Sequence, residues 1–568
     1  MRRTARSVVG RVTDRFLVPG APPRTHQYRV EPDLAVPMRD GVTLLGDRVV
    51  PFGAADDAPT VLIRTPYGRR GLAAATSAYP IAARGLPVFI QSCRGTFGSE
   101  GSFEPVTNER DDGIDTVTWL RDQPWFTGRL ATFGPSYLGI TQWALAGPLS
   151  AEKPELAPDV LCAHVTAPDV NQMVWDHGVF LVELALSWAQ LMDVQERPLA
   201  LMRSLVDRRA LRRGLDRIPL SDGDRAAVGT TVAWYQDWLG HERLDDPFWN
   251  GTTPGDTIEA ITAAVVMVTG WYDVFLPWQI DSYQRLWAAG NPPRLVIGPW
   301  GHPSPAAAGR GLAESVAIIG YRLMDGQVPH QAPVEIYVTG AEEWRDLSEW
   351  PPPSEPVDLL LQPFGALSTG LAPAGGPTRY VYDPYNPTPA VGGPALDRAS
   401  TPVDNRELEA RADVLVFTGP PLSEPVDVIG TPEAVVHLRT DRPSTDVFVR
   451  ICDVHPDGTS MNVCDGIRRI GSSGTRGVDP VPDAGGVVAV ELPLWPTAHR
   501  FGTGHRIRVQ VCSGAHPRYA RNLGSAEPAA TATHGAPAHQ EVFHDPGHRS
   551  GVRLPVVAGS TDPASPGS

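Results

Sequence analysis

The sequence contains a single lysine, Lys153, among its 568 residues, so almost all of its basic charge is carried by arginine. A phosphate-binding Walker loop and the S-x-x-K motif of penicillin-binding hydrolases each require a lysine at a fixed position. Lys153 lies in "SAEKPEL", which matches neither motif. The scarcity of lysine therefore excludes P-loop ATPases, kinases and hydrolases that use a serine–lysine pair.

Cysteine is also scarce and gives no sign of a cross-linked framework. The five cysteines are scattered along the chain, and none lies in C-x-x-C spacing: Cys93, Cys162, Cys452, Cys464 and Cys512. An odd number without paired spacing predicts neither a disulfide framework nor a zinc site. This usage fits a reducing compartment, and we expect the protein to be cytoplasmic.

Long apolar runs and an excess of positive charge are both missing. No apolar stretch approaches the roughly 18 residues of a membrane span, so no membrane association is expected. Basic residues number 49 and acidic residues 64, a net charge of −15 that argues against nucleic-acid binding. The basic start, "MRRTARSVVGRVTDR", lacks the apolar core of a signal peptide, and residues 1–29 are expected to form a flexible leader.

A chain of this length is expected to form roughly two to four domains. In residues 30–150 a hairpin at Asp40-Gly41 precedes short apolar strands that alternate with helical stretches, which predicts an α/β domain with a parallel sheet. Helical periodicity dominates residues 151–250, and the alternation resumes over residues 251–348. We therefore expect the helical stretch to be an insertion within one α/β domain.

The last third of the chain has a different pattern. Over residues 349–558, short alternating strands such as "AVVHLRTD" and "RIRVQVCSG" are separated by turns rich in Gly, Pro and Asp. This pattern predicts an all-β sandwich or jelly roll. The final residues 559–568, "GSTDPASPGS", are small and polar and are expected to be disordered.

The segment "TFGPSYLG", residues 132–139, predicts a strand, a tight turn and a helix, with Ser136 at the bend. A nucleophile elbow normally has the pattern G-x-S-x-G, but here the second glycine comes one place late. Two later apolar strands end at Asp273 and His302. The order Ser, Asp, His at strand ends is that of α/β-hydrolases, so we predict Ser136 as nucleophile, His302 as base and Asp273 as its orienting carboxylate. Taken singly, Asp273 could cap a helix and His302 could be an ordinary loop residue.

An acyl-transfer site also needs donors for the oxyanion. One is expected to be the backbone N–H of Tyr137, directly after the predicted nucleophile. The second is expected from the loop "RTPYGRRG", where the phenol of Tyr67 could donate. The alternative for Tyr67 is an aromatic side chain packed at a strand end.

Several motifs together resemble one family. They are "VPMRDGVTL", "RTPYG", "QSCRGTFGSEGSF", "GPSYLGITQW", "GWYDVF", "VIGPWGH" and "DVFVRICDVHPDG". In this order they resemble the CocE/NonD family of serine hydrolases, the cocaine esterase and X-prolyl dipeptidyl-peptidase group, with the pattern closest to the cocaine esterases. The resemblance covers nearly the whole chain after about residue 30, and the family's elbow has the late glycine. It implies an α/β-hydrolase domain, an inserted helical cap and a C-terminal jelly roll.

Carried over by motif, the resemblance implies the catalytic and oxyanion-hole roles given above. It also implies that Phe275 in "GWYDVF" lines the acyl pocket. In the cap, Trp175 and Trp188 are candidates for pocket aromatics, with packing in the cap core as the alternative. Pro135 departs from many relatives, and we expect it to be tolerated because the strand ends there.

The implied activity is hydrolysis of carboxylic ester or amide bonds through an acyl-enzyme, with neither metal nor cofactor. The expected partner is a small ester or amide, and a homodimer is left open. Within the family, an X-prolyl dipeptidyl peptidase or an acylase for β-lactams or amino-acid esters is the alternative. The cap has no clear carboxylate cluster for a free amino group, which favours a neutral substrate.

Two alternative functions from outside the serine hydrolases remain. Residues 534–548, "HGAPAHQEVFHDPGH", place four histidines within 15 positions, which raises metal binding, although the spacing lacks H-E-x-x-H or another ligand motif. A non-catalytic carbohydrate-binding or interaction protein built on the jelly roll is the other alternative.

Overall fold

The computed structural model describes residues 14–197, 208–324, 326, 331–396, 400–471 and 480–558. These residues form an α/β domain with a helical insertion, followed by an all-β domain, as the sequence predicts. Within them, no helix has both the length and the apolar character needed to cross a bilayer. The predicted disordered tail, 559–568, and the first 13 residues of the predicted leader lie outside the described residues.

The α/β domain begins with an antiparallel hairpin and continues with short strands that are almost entirely buried. Its first strands and helices are β1 (Tyr28–Pro37), β2 (Thr43–Pro51), β3 (Thr60–Thr65), α1 (Gly71–Thr76), α2 (Ala78–Ala82), β4 (Val88–Ser92), α3 (Glu109–Arg121), β5 (Leu130–Pro135), α4 (Tyr137–Glu152) and β6 (Val160–His164). The predicted turn joins β1 to β2, where Gly41 has a φ of 88° that suits glycine. Burial on both faces explains why β3 to β6 contain continuous apolar runs rather than alternating ones.

The helical insertion follows β6. Its elements are α5 (Val170–Val174), β7 (Trp175–Asp176), β8 (Val179–Phe180), α6 (Val182–Val194), α7 (Arg208–Leu215), α8 (Gly223–Val228) and α9 (Ala233–Gly240), with 3-10 helices at Leu220–Asp222, Pro247–Trp249 and Pro254–Ala260. The predicted cap, 151–250, begins too early, because β6 is a strand of the main sheet between β5 and the strand after the insertion. A buried five-residue strand cannot be told from a buried helical segment by periodicity.

The chain then returns to the main sheet. The returning elements are β9 (Ala264–Tyr272), α10 (Leu276–Ala288), β10 (Arg294–Gly301), α11 (Pro305–Leu323), β11 (Val334–Val338) and β12 (Glu343–Leu347). The ten-stranded sheet has the order β1-β2-β4-β3-β5-β6-β9-β10-β11-β12, and the pairs from β4 through β11 are parallel. Parallel pairing brings the carboxyl ends of β3, β5, β9 and β10 to one edge.

The C-terminal domain consists of antiparallel strands in two sheets. Its elements are β13 (Glu355–Leu361), β14 (Leu367–Ser368), β15 (Thr378–Tyr382), α12 (Arg406–Glu409), β16 (Leu415–Thr418), β17 (Val426–Gly430), β18 (Glu433–Thr440), β19 (Thr445–Val454), β20 (Ser460–Ile470), β21 (Val488–Pro493), β22 (Thr497–Phe501), β23 (Arg506–Cys512), β24 (Ala538–Phe543) and β25 (Gly551–Val557), with a 3-10 helix at Pro363–Gly365. One sheet has four strands, β16-β23-β19-β20, and the other has nine. Apolar side chains from both sheets meet in one core.

The described part of the predicted leader is packed against the α/β domain. Val18 is buried, and the backbone N–H groups of Thr25 and His26 both donate to the carbonyl of Ala83 at 2.9 Å. Asp14 forms an ion pair with Arg24. A flexible leader extending to residue 29 is therefore wrong for the residues from Asp14 onward, because a buried apolar side chain and backbone bonds fix them.

Two glycines of α11 give a test of this packing. A Cβ on Gly309 would lie 1.8 Å from the carbonyl oxygen of Pro19, whereas a Cβ on Gly320 would meet nothing within 4 Å. Alanine in place of a helical glycine normally stabilises a helix by about 1 kcal/mol. We expect Gly320→Ala to raise Tm, and Gly309→Ala to lower it and expose residues 14–27 to limited proteolysis. An equal response of the two variants would contradict the docked segment.

Candidate active site

Ser136 lies in the turn between β5 and α4, where its backbone has φ 57° and ψ −129°. A positive φ is strained for a residue other than glycine and holds the hydroxyl above the sheet edge. A Cβ on Gly134 would lie 2.2 Å from the Leu138 Cβ, and a Cβ on Gly139 would lie 2.5 Å from the side chain of Thr166. The late glycine of the elbow thus lets α4 approach the segment after β6, where the Thr166 hydroxyl donates to the Ser136 carbonyl at 2.8 Å.

The position of Pro135 is explained by the pairing of β5. The amide of Ser136 donates to the carbonyl of His164 in β6 at 2.9 Å. Neighbouring amides of a strand point to opposite sides, so the Pro135 nitrogen faces β3. The ladder with β3 has already ended at Thr132. No hydrogen bond of that ladder is lost at Pro135.

Asp273 and His302 follow β9 and β10, and the structure brings both to Ser136. His302 Nε2 is 3.0 Å from Ser136 Oγ, and its Nδ1 is 2.8 Å from Asp273 Oδ2. The other carboxylate oxygen of Asp273 accepts the backbone N–H of Phe275 at 2.8 Å. Asp273 is fully buried, so both of its oxygens are occupied: one fixes the turn before α10 and the other orients the imidazole.

The two predicted oxyanion donors lie beside this serine. Tyr137 is the first residue of α4, so its N–H has no acceptor within the helix. The Tyr67 phenol interacts with the Ser136 side chain and accepts a hydrogen bond from Trp188 Nε1 at 3.1 Å. Burial raises the pKa of Tyr67 to about 12, so the phenol keeps its proton as a donor at neutral pH.

The side chain of Tyr137 is held by a buried hydrogen-bond network. Its hydroxyl donates to Glu109 Oε1 at 3.0 Å and accepts the N–H of Val106 at 2.9 Å. Glu109 is itself buried and paired with Arg64 at 2.8 Å. This buried network holds the first turn of α4 in place, so the side chain of Tyr137 positions its own backbone amide.

Ser136 and His302 open onto a cavity of about 790 Å³ whose lining is mainly apolar. The α/β domain, the cap and the start of the all-β domain all contribute side chains, the last through Leu396. Among the described lining residues, no Asp or Glu is present and Arg70 is the one arginine. Arg70 forms ion pairs of 2.7 Å with Asp33 and with Asp47, so its charge is already compensated.

Two of the three predicted pocket aromatics line this cavity. Phe275 does so and packs its ring against His302 at 5.1 Å and 85°, and Trp188 does so from the cap. Trp175 does not, because it is buried in the cap core, where its Nε1 donates to the Trp238 carbonyl at 2.9 Å. Trp238, which sequence reasoning missed, lines the cavity and stacks on Trp188 at 5.9 Å and 5°.

The histidine-rich segment 534–548 lies outside this site. His544 bonds to Thr378 at 3.0 Å, and His548 bonds to Asp483 and Asp545 through different ring nitrogens. Within the described ranges, the segment does not bring three ligand atoms together.

Two family models match the chain in succession. The model described as X-Pro dipeptidyl-peptidase (S15 family) matches residues 40–304. The model described as X-Pro dipeptidyl-peptidase C-terminal non-catalytic domain matches residues 326–553. Together they cover most of the α/β domain with its insertion and most of the all-β domain.

Individual relatives agree with this match. Cocaine esterase from a Rhodococcus species is 29% identical, with 93% of this chain and 99% of the relative covered. The structure of an α-amino acid ester hydrolase superposes with a TM-score of 0.76 at 25% identity, covering 93% and 97% of the two chains. An aminopeptidase from a Thaumarchaeota archaeon of marine sediment shares the fold, with a TM-score of 0.76 at 24% identity over 94% and 96% of the chains. The chain therefore belongs to the CocE/NonD hydrolases of the X-Pro dipeptidyl-peptidase (S15) family and is a serine hydrolase.

Proposed function

We propose that this enzyme hydrolyses neutral carboxylic esters with bulky apolar groups through an acyl-enzyme on Ser136. The observation that carries the proposal is the hydrogen-bonded chain from Asp273 through His302 to Ser136, with the serine and the histidine facing the apolar cavity. A base within hydrogen-bonding distance of a serine, and a carboxylate that orients the base, is the arrangement that acyl transfer requires.

In the proposed reaction, His302 Nε2 takes the proton of Ser136 as Oγ attacks the ester carbonyl. The developing oxyanion accepts hydrogen bonds from the Tyr137 N–H and the Tyr67 hydroxyl, while Asp273 stabilises the imidazolium. The bond to the alcohol then breaks, and His302 gives its proton to the leaving oxygen. Water, deprotonated by His302, attacks the acyl-enzyme, and His302 gives that proton to Ser136 Oγ as the bond to the serine breaks and the acid leaves. The complete reaction uses the side chains named above, the backbone amide of Tyr137 and water.

The charge distribution of the cavity favours a neutral substrate over one with a free amino group. Dipeptidyl peptidases and amino-acid ester hydrolases act on substrates that carry an ammonium, which needs a carboxylate partner when it is buried. The described lining residues of the cavity include no Asp or Glu, so none of them offers a carboxylate to a buried ammonium. The similarity to cocaine esterase, by name an ester hydrolase, supports an ester rather than a peptide as the substrate.

Ser136→Ala tests the nucleophile, with Ser77→Ala as the matched control. Ser77 also lines the cavity, but its hydroxyl donates to the Ala73 carbonyl at 2.6 Å, and among the described residues no histidine is hydrogen-bonded to it. We expect Ser136→Ala to lower kcat at least about 10⁴-fold and to abolish labelling by a fluorophosphonate. Ser77→Ala should keep both the kcat of the wild type and the labelling by the fluorophosphonate. Labelling that persists in Ser136→Ala would contradict the proposed nucleophile.

Tyr67→Phe and Tyr137→Phe separate the two oxyanion donors. Tyr67→Phe removes the donating hydroxyl, so kcat for an ester should fall about 10²- to 10³-fold with little change in KM. Tyr137→Phe keeps the backbone donor but removes the hydroxyl that bonds to Glu109 Oε1 and the Val106 amide, so we expect a lower Tm and only a small change in kcat. Comparable kcat values for Tyr67→Phe and wild type would show that Tyr67 only packs.

A pair of substrates that differ in one charge tests the proposed specificity. We expect kcat/KM for the p-nitrophenyl ester of N-acetylphenylalanine to exceed that for the free-amine ester by about 100-fold, because a buried ammonium would lack a partner. An alanyl-prolyl p-nitroanilide should be turned over poorly. A preference for the free-amine ester or the anilide, with the Ser136 labelling intact, would assign the enzyme to the amino-acid ester hydrolases or the dipeptidyl peptidases instead.

A further inference from the structure

One buried carboxylate of the all-β domain has unusual partners. Asp413, Asp427, Asp446 and Asp465 are buried, and each forms an ion pair with at least one arginine. Asp453 is equally buried, with 2% of its side chain exposed, but among the described residues its charged partners are three histidines and no arginine. A buried carboxylate needs a compensating positive charge, which arginine supplies to the other four.

The strand register explains why two of these histidines meet Asp453. Strands β19 and β23 are antiparallel, with Val454 opposite Arg506. His455 directly follows Val454 and His505 directly precedes Arg506, and the centroids of the two imidazole rings are 4.5 Å apart. Asp453 and His455 are two residues apart and project from the same face of the strand. The three side chains therefore gather at the end of the four-stranded sheet.

The distances within this cluster resemble those between ligands of a single ion. His505 Nδ1 is 2.8 Å and 3.0 Å from the two carboxylate oxygens of Asp453. His455 Nε2 is 3.7 Å from Oδ2, too far for a hydrogen bond. The ligand atoms of all three residues lie within 4.8 Å of one another. Zinc bonds of about 2.0–2.1 Å in a tetrahedron place ligand atoms about 3.3–3.4 Å apart, so the separations within the cluster would have to change by at most roughly 1.5 Å.

A third histidine reaches Asp453 from outside the four-stranded sheet. His499 lies on β22, and its Nε2 is 3.2 Å from Asp453 Oδ2. Its other ring nitrogen, Nδ1, is 2.8 Å from the hydroxyl of Thr339, the residue that follows β11. His499 is thus fixed through both ring nitrogens and orients the carboxylate, as a hydrogen-bonded neighbour of a metal ligand commonly does.

We propose that Asp453, His455 and His505 bind a divalent transition-metal ion of the zinc type. Two imidazoles and a carboxylate suit zinc, whereas calcium and magnesium prefer oxygen ligands alone. The ion supplies the charge that arginine supplies to the other buried carboxylates. His455 and His505 are partly exposed, which gives the ion a route of entry and leaves a fourth position for water.

The site is structural rather than catalytic. None of its residues lines the cavity that contains Ser136. Through Asp453 and its bond to His499, the ion links both sheets of the all-β domain to Thr339 in the α/β domain. It therefore stabilises the junction between the two domains.

The first test measures metal content in the full-length protein. Enzyme stripped with a chelator, loaded with zinc and passed through a desalting column should retain about one zinc per chain by elemental analysis. The double variant His455→Ala/His505→Ala should lose it, whereas His534→Ala/His539→Ala, which changes two exposed histidines elsewhere, should retain it. His499→Ala should bind about 10- to 100-fold more weakly. Wild type that retains no zinc, or the first double variant retaining as much as wild type, would overturn the site.

Two measurements on the wild-type protein complete the test and do not depend on the folding of a variant. Cobalt(II) bound to the stripped protein should give visible ligand-field bands, and zinc should raise Tm by a few degrees. Addition of a chelator at 25 °C should leave the rate of ester hydrolysis unchanged. No bands and no shift in Tm would exclude the site, and a rate lost with the metal would overturn its structural role.

Discussion

The parallel alignment of β3, β5, β9 and β10 is the constraint on which the rest of the molecule depends. Parallel strands end at the same edge of the sheet, so residues far apart in sequence meet there. Tyr67, Ser136, Asp273 and His302 each follow one of these strands. The helical insertion leaves the sheet after β6 and returns at β9, and therefore covers this edge. The candidate catalytic groups and the cavity wall thus both follow from the parallel order of these strands.

Much of the site was predictable because its signals are local in sequence. Ser136, Asp273 and His302 each come directly after an apolar strand, in an order typical of α/β-hydrolases, and the structure places them in hydrogen-bonding contact. The late Gly139 was predictable only through the family resemblance. Its physical reason, the close approach of Thr166, depends on a segment remote in sequence.

Other features were not predictable, since they depend on side-chain direction or long-range register. Trp175 and Trp188 look equivalent in sequence, yet one packs in the cap core and the other faces the cavity. The histidines that converge, His455 and His505, are 50 residues apart, and only the pairing of β19 with β23 brings them together. The segment richest in histidine, by contrast, spreads its rings over separate partners.

The contact between Trp188 and Tyr67 has a consequence for how the cap takes part in the proposed reaction. A hydroxyl that accepts a hydrogen bond becomes polarised and donates more strongly through its own proton. The indole N–H of Trp188 therefore strengthens Tyr67 as an oxyanion donor. Any displacement of α6 that draws Trp188 away from Tyr67 would weaken the proposed stabilisation of the oxyanion. The position of α6 in the cap and the strength of Tyr67 as a donor in the proposed reaction are therefore coupled.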